Sequence, residues 1–185
     1  MSNRRGPNVA LVCGLLLLLL AGLGRVGYMT DGEFADIPAP PSDDRVVFAS
    51  DPLPEHPAPA LFDVEATVTW DRDDVWVAVV DQAEWERCQD APASSFFGIC
   101  TSNDLNAVIM GAPEDRAEGI TWEVTEGVHW AGYGSIGTPT GATLNLAYSV
   151  HVQLDGAPTA LLLLVGVGLL VWCGWGRGCL GGGAG

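Results

Sequence analysis

Hydrophobic and polar positions follow two different rhythms along this chain. Near each end lies a run without charge: residues 6–24, bounded by Arg5 and Arg25, and residues 156–176, bounded by Asp155 and Arg177. The second reads GAPTALLLLVGVGLLVWCGWG; its 21 residues, at about 1.5 Å each in a helix, span roughly 31 Å, the thickness of a bilayer's hydrocarbon core. It predicts a transmembrane helix. Between the two runs the period drops to two. Phe62, Val64, Ala66, Val68 and Trp70 alternate with polar residues, and Leu144, Leu146, Tyr148, Val150, Val152 and Leu154 do the same. Alternation of this kind predicts half-buried strands. Residues 75–80 form an unbroken apolar strand, with further strands expected at residues 105–110, 120–124 and 128–133. Only residues 81–88, DQAEWERC, read as a helical turn. Short strands separated by Gly, Pro and Asp turns predict an antiparallel β-sandwich, flanked by two single transmembrane helices.

The domain plan follows: a cytoplasmic N-terminus (1–7), a transmembrane helix or signal peptide (8–28), a Pro/Asp-rich linker (29–60), an extracytoplasmic β-sandwich (61–155), a transmembrane helix (156–176) and a short cytoplasmic tail (177–185). The linker carries seven prolines between Pro38 and Pro59; proline lacks a backbone donor and fixes φ, so extended or irregular chain is expected. Val46, Val47 and Phe48 interrupt it as a possible edge strand. For the first apolar run, the basic residues before it and Ala21, Gly22 and Gly24 after it allow a cleaved signal peptide. Leu23 fits the cleavage rule poorly, which favours a retained helix.

Charge gives the orientation. The net charge is −15, and all 23 acids lie between Asp31 and Asp155. With only Arg45, Arg72, Arg87 and Arg116 among them, that stretch carries −19, while Arg4, Arg5, Arg25 and Arg177 flank it. Basic ends and an acidic middle predict both termini in the cytoplasm and the middle exported. So negative a surface repels phosphate, which argues against nucleic acid as a partner. The expected partners are the lipid bilayer and another envelope or membrane protein.

The segment EGVHWAGYGS, followed by the strand LNLAYSVHV running into a membrane helix, resembles the end of GOLD-type and related jelly-roll ectodomains. The resemblance covers residues 120–154. The Asn usual after the aromatic strand is replaced here by Ser135, Ile136 and Gly137. It implies a sandwich topology and a role in binding rather than a chemistry.

Candidate chemistry is sparse. Cys88 and Cys100 are the only cysteines of the acidic block and are expected to pair in an oxidising compartment. Their loop carries Phe96, Phe97 and Ile99, which either cap the sandwich or form a contact patch. Cys13, Cys173 and Cys179 lie in or beside the apolar runs and need no pairing. Asp71, Asp73 and Asp74 share a turn whose oxygens suit Ca²⁺, but the EF-hand pattern is absent and a solvated turn is the simpler reading. His129 and His151 are placed on neighbouring strands, two ligands where zinc takes three or four. No nucleophile elbow, phosphate loop or His-Glu metal motif occurs. The expectation is therefore a non-catalytic module without a cofactor.

Overall fold

In a computed structural model of the chain, residues 5–40, 44–56, 58–89, 100–137 and 143–175 are described. They form two compact units. Of the described residues, one holds those from 5 to 28, from 60 to 63 and from 152 to 175, and the other holds those between 29 and 59 and between 64 and 151.

The first unit is built on two apolar helices, α1 (Arg5–Val26) and α3 (Gly156–Trp175). Both are long and apolar enough to cross a membrane. Their large side chains are mostly exposed: Leu19, Leu23, Leu164 and Trp172 all stand open. What α1 buries is small, namely Ala10, Gly14 and Ala21. These recur on one face at helical spacing, so the two backbones can approach closely. A Cβ added to Gly14 would lie 3.0 Å from the Gly166 carbonyl oxygen, and one added to Gly24 would lie 3.0 Å from Leu154. Gly14 thus meets Gly166 and Leu170 within α3, while Gly24, later in α1, meets Leu154 just before α3 begins, so the two helices run antiparallel. The spacing Ala10–Gly14 serves where no G-x-x-x-G exists. Asp155 caps α3 by accepting the Ala157 N–H at 2.7 Å. That bond holds its carboxyl below the usual range. Arg25, in the last turn of α1, donates to the Leu154 carbonyl at 3.4 Å and lies 3.8 Å from Asp63. Cys13 is a free, exposed thiol. Cys173 is buried and disulfide-bonded, contrary to the unpaired thiol expected from sequence.

The second unit is mainly β. Among the described residues, eight strands make two four-stranded antiparallel sheets. One has the order β1 (Tyr28–Pro38), β8 (Thr143–Leu154), β3 (Phe62–Trp70), β6 (Ile120–Glu123). The other has the order β2 (Val47–Phe48), β7 (His129–Ser135), β4 (Val75–Asp81), β5 (Ile109–Gly111). β3 matches the alternating segment to the residue, and of the Val46–Phe48 run Val47 and Phe48 form a two-residue edge strand. The stretch expected to be linker departs from that reading. Its first part is β1, 11 residues long and free of proline until its last position. Its Thr, Asp, Gly and Glu carry no hydrophobic rhythm, because it is a sheet edge exposed on nearly all positions. Residues 113–117 form a 3₁₀ turn opened by proline.

β4 explains the core. It is buried at every position from Val75 to Val80. Val75 and Val77 join Trp70, Ile120 and Leu144, residues drawn from both sheets. Trp76, Ala78 and Val80 point the other way, to Trp130, Leu105 and Cys100. β7 makes room for that second face. Its residues Trp130, Gly132 and Gly134 pair with Val80, Ala78 and Trp76. A side chain at Gly134 would run into the Trp76 indole, and one at Gly132 would meet Val46 and Phe48. Glycine at alternate positions lets large neighbours lie flat across the strand.

Candidate functional site

The clearest concentration of polar and sulfur chemistry covers the outer face of β4. Asp81 ends that strand and accepts the Glu84 N–H at 2.8 Å, capping α2 (Gln82–Gln89). The sequence Asp81-Gln82-Ala83-Glu84 has the form of a capping box. The Glu84 side chain does not turn back to the cap. It is buried, accepts two bonds from Arg87 at 2.7 and 2.6 Å, and takes the Asn106 N–H at 2.7 Å. The Arg87 bonds, backed by Asn106, hold the Glu84 carboxyl below its ordinary pKa and push the guanidinium up. Arg87 also reaches the Asp104 carbonyl at 3.0 Å. Burial pushes the Asp104 carboxyl up, but the Thr101 N–H and hydroxyl, at 2.6 and 2.8 Å, leave it lowered. α2 and the segment from Cys100 to Asn106 are thereby tied together by charge-assisted hydrogen bonds.

Cys88 and Cys100 sit at disulfide distance, with Cα atoms 5.6 Å apart. Glu84 and the two sulfurs lie within 4.8 Å of one another, a spacing a metal ion would accept. Metal ligation needs thiolates. Sulfurs bonded to each other supply none, and the carboxylate is already spent on Arg87 and Asn106. Beside the sulfurs, Trp85 of α2 stacks on Trp130 with ring centroids 4.1 Å apart, and Trp130 Nε1 donates to Gln82 at 2.7 Å. Trp85 Nε1 is buried and has no acceptor among the described residues. The third tie on this face is Asp44, which accepts from Trp76 Nε1 and from the Ser102 hydroxyl, each at 2.7 Å. Phe96, Phe97 and Ile99 lie outside the described residues.

The other sequence candidates separate. The acidic turn is occupied from within. Arg72, buried, grips both Asp74 oxygens at 2.8 and 2.5 Å and reaches the Thr143 carbonyl at 3.2 Å. Asp71 accepts the Asn145 N–H and side-chain amide at 3.0 and 2.7 Å. Two of the three carboxylates therefore hold the chain's own groups. The histidines correct the sequence reading: β7, with His129, and β8, with His151, belong to different sheets and are not neighbouring strands. His129 is buried opposite Asp81, its Nε2 3.3 Å from the Thr125 hydroxyl. Sequence reasoning missed Glu84, Arg87 and Asp44. The capping-box spacing was the one available signal for Glu84; nothing local marks Asp44, whose partners are 32 and 58 residues away.

No protein-family model matches the chain, and no curated protein matches it either.

Proposed function

We propose that this protein is a two-pass membrane protein whose acidic middle is an extracytoplasmic β-sandwich that binds another envelope or membrane protein. The observation that carries the reading is the placement of charge. All 23 acids fall between the two apolar helices, and half of the eight arginines fall outside that stretch. The positive-inside bias then leaves both termini in the cytoplasm. The Cys88–Cys100 pair suits an oxidising compartment. The ionic groups around it are bonded to one another, which supports a scaffold rather than a reaction centre. The resemblance to GOLD-type ectodomains points to the same use, and no nucleic-acid partner is proposed.

A second reading, an accessory subunit acting through its helices, is favoured by one feature of α3. Leu164, Gly168, Val171 and Trp175 line an open apolar groove of 570 Å³. A chain with both helices exchanged for unrelated membrane spans separates the two readings: partner capture survives in the first and is lost in the second. A topology reporter placed after Gly185 is expected to read cytoplasmic and one inserted beside Glu55 exported; the reverse pattern overturns the orientation.

A further inference from the structure

The two sheets expose four outer strands, and three of them are short. β2, β5 and β6 have two, three and four residues. β2 is also covered: Val46 donates to the Cys100 carbonyl at 3.0 Å and Arg45 bridges Thr101. β1 has 11 residues and pairs only with β8. Among the described residues no strand pairs with its outer side. Asp36, at φ 57°, breaks the regular edge near its end, and the Pro38 carbonyl accepts from the Tyr133 hydroxyl at 3.4 Å, so the open stretch is residues 29–35. Proteins ordinarily keep such edges short or covered, because a long one is a template for another strand.

The strand's chemistry selects the occupant. Asp31, Glu33 and Asp36 are all exposed on it, and no Lys or Arg occurs between Arg25 and Arg45. A second copy pairing here would set carboxylates against carboxylates, which is unfavourable across a strand pair. A segment bearing Lys or Arg would be drawn in. Apolar anchors accompany the charges. Met29 is exposed, and Phe34 is 59% exposed while its ring stacks on Tyr148 at 5.3 Å. Tyr148 lies over Gly32, where any side chain would collide with it. The stacked pair is therefore a fixed apolar step on the face of an open edge.

We infer that β1 is a docking edge for an extended basic segment of a partner protein, which adds as a further strand and sets alternate apolar side chains against Phe34 and Tyr148. This rests on the reading of the acidic region as a binding module but not on its orientation, and it is tested with both membrane faces open. The full chain in zwitterionic lipid nanodiscs is titrated with a short peptide alternating Lys and Val. Two controls run beside it: the same peptide N-methylated on alternate amides, and a peptide alternating Glu and Val. The Lys/Val peptide is expected to slow amide hydrogen exchange within residues 29–35. Its binding should weaken roughly tenfold from low to near-molar salt, and Phe34→Ser should weaken it several-fold with the melting temperature unchanged. The N-methylated and Glu/Val peptides should give no protection. Equal binding of the N-methylated peptide, or protection elsewhere only, would overturn strand addition. Protection of residues 29–35 that grows with protein density in the absence of peptide would give the edge to a second copy and overturn the basic partner. Failure here, with partner capture by the helix-exchanged chain intact, would leave the proposed function standing and remove only this edge.

Discussion

β4 and β8 are both strands rich in apolar residues, one an unbroken apolar run and the other alternating with polar residues, and they are used in opposite ways. β4 is short and buried on both faces. β8 is 12 residues long, and only Leu144 on it is fully buried. Beyond Ala147 every residue is half-buried, polar and apolar alike. The alternation expected of β8 therefore fades along its length, while β4 never alternates because both sides are covered. One side of β4 meets Trp70, Ile120 and Leu144; the other lies beneath Trp85 of α2, the Cys88–Cys100 pair and Leu105. The difference teaches that a continuous apolar run signals two covers, and that the second cover here is a polar, disulfide-braced layer rather than another sheet.

The most severe way to break the contrast is to place a carboxylate on each strand. Val77→Asp and Ala78→Asp, neighbours on opposite faces of β4, should both unfold the domain. A buried unpaired charge costs several kcal/mol, against a total stability of about 5–15. On β8, Leu144→Asp should do the same, whereas Val150→Asp and His151→Asp should have similar, smaller effects. Thermal melts of the full chain in detergent decide this. A large effect at Val150 with none at His151 would restore simple alternation and refute the comparison.

Removing the brace comes next. Cys88→Ser should cost about 3 kcal/mol for a crosslink spanning 12 residues, read as a lower melting temperature that reducing agent reproduces in the wild type. Gly134→Ala follows, at about 1–3 kcal/mol, because the new methyl meets the Trp76 indole. The same change at Gly127, where nothing lies within 4 Å, should act through its positive φ alone.

Glu84 sharpens the electrostatic side of the layer. Its folded pKa is depressed, chiefly by Arg87. Its contribution is therefore complete above the unfolded carboxylate pKa, about 4.3, and is lost as pH falls through the lower folded value. Glu84→Gln should cost about 1–3 kcal/mol near neutral pH. The gap between mutant and wild type should narrow as the solution is acidified below pH 4; a gap independent of pH would make the contribution one of shape. The smallest effect belongs to the exposed sheet face, where Glu65 and Glu123 stand directly opposite each other. Glu123→Lys should add a few tenths of a kcal/mol, measured as a shift in denaturant midpoint that salt removes.

What the sequence by itself determined is whatever depends on neighbours in the chain. The two uncharged runs, the alternation of β3, the Asp81 cap and the one-sided distribution of acids are all local, so residue type and spacing fix them. Even the Cys88–Cys100 pairing was legible, since no other cysteines share that block. Tertiary structure decided the rest. β1 became a strand because β8 supplies its hydrogen bonds, not because Thr, Asp, Gly and Glu favour extension. β7 and β8 entered different sheets, which parted His129 from His151. Asp44 found Trp76 and Ser102, and Glu84 found Asn106, across sequence distances that no local pattern spans. Backbone pairing and buried polar bonds must be satisfied wherever the fold brings donors and acceptors together, and that meeting is set by the whole chain.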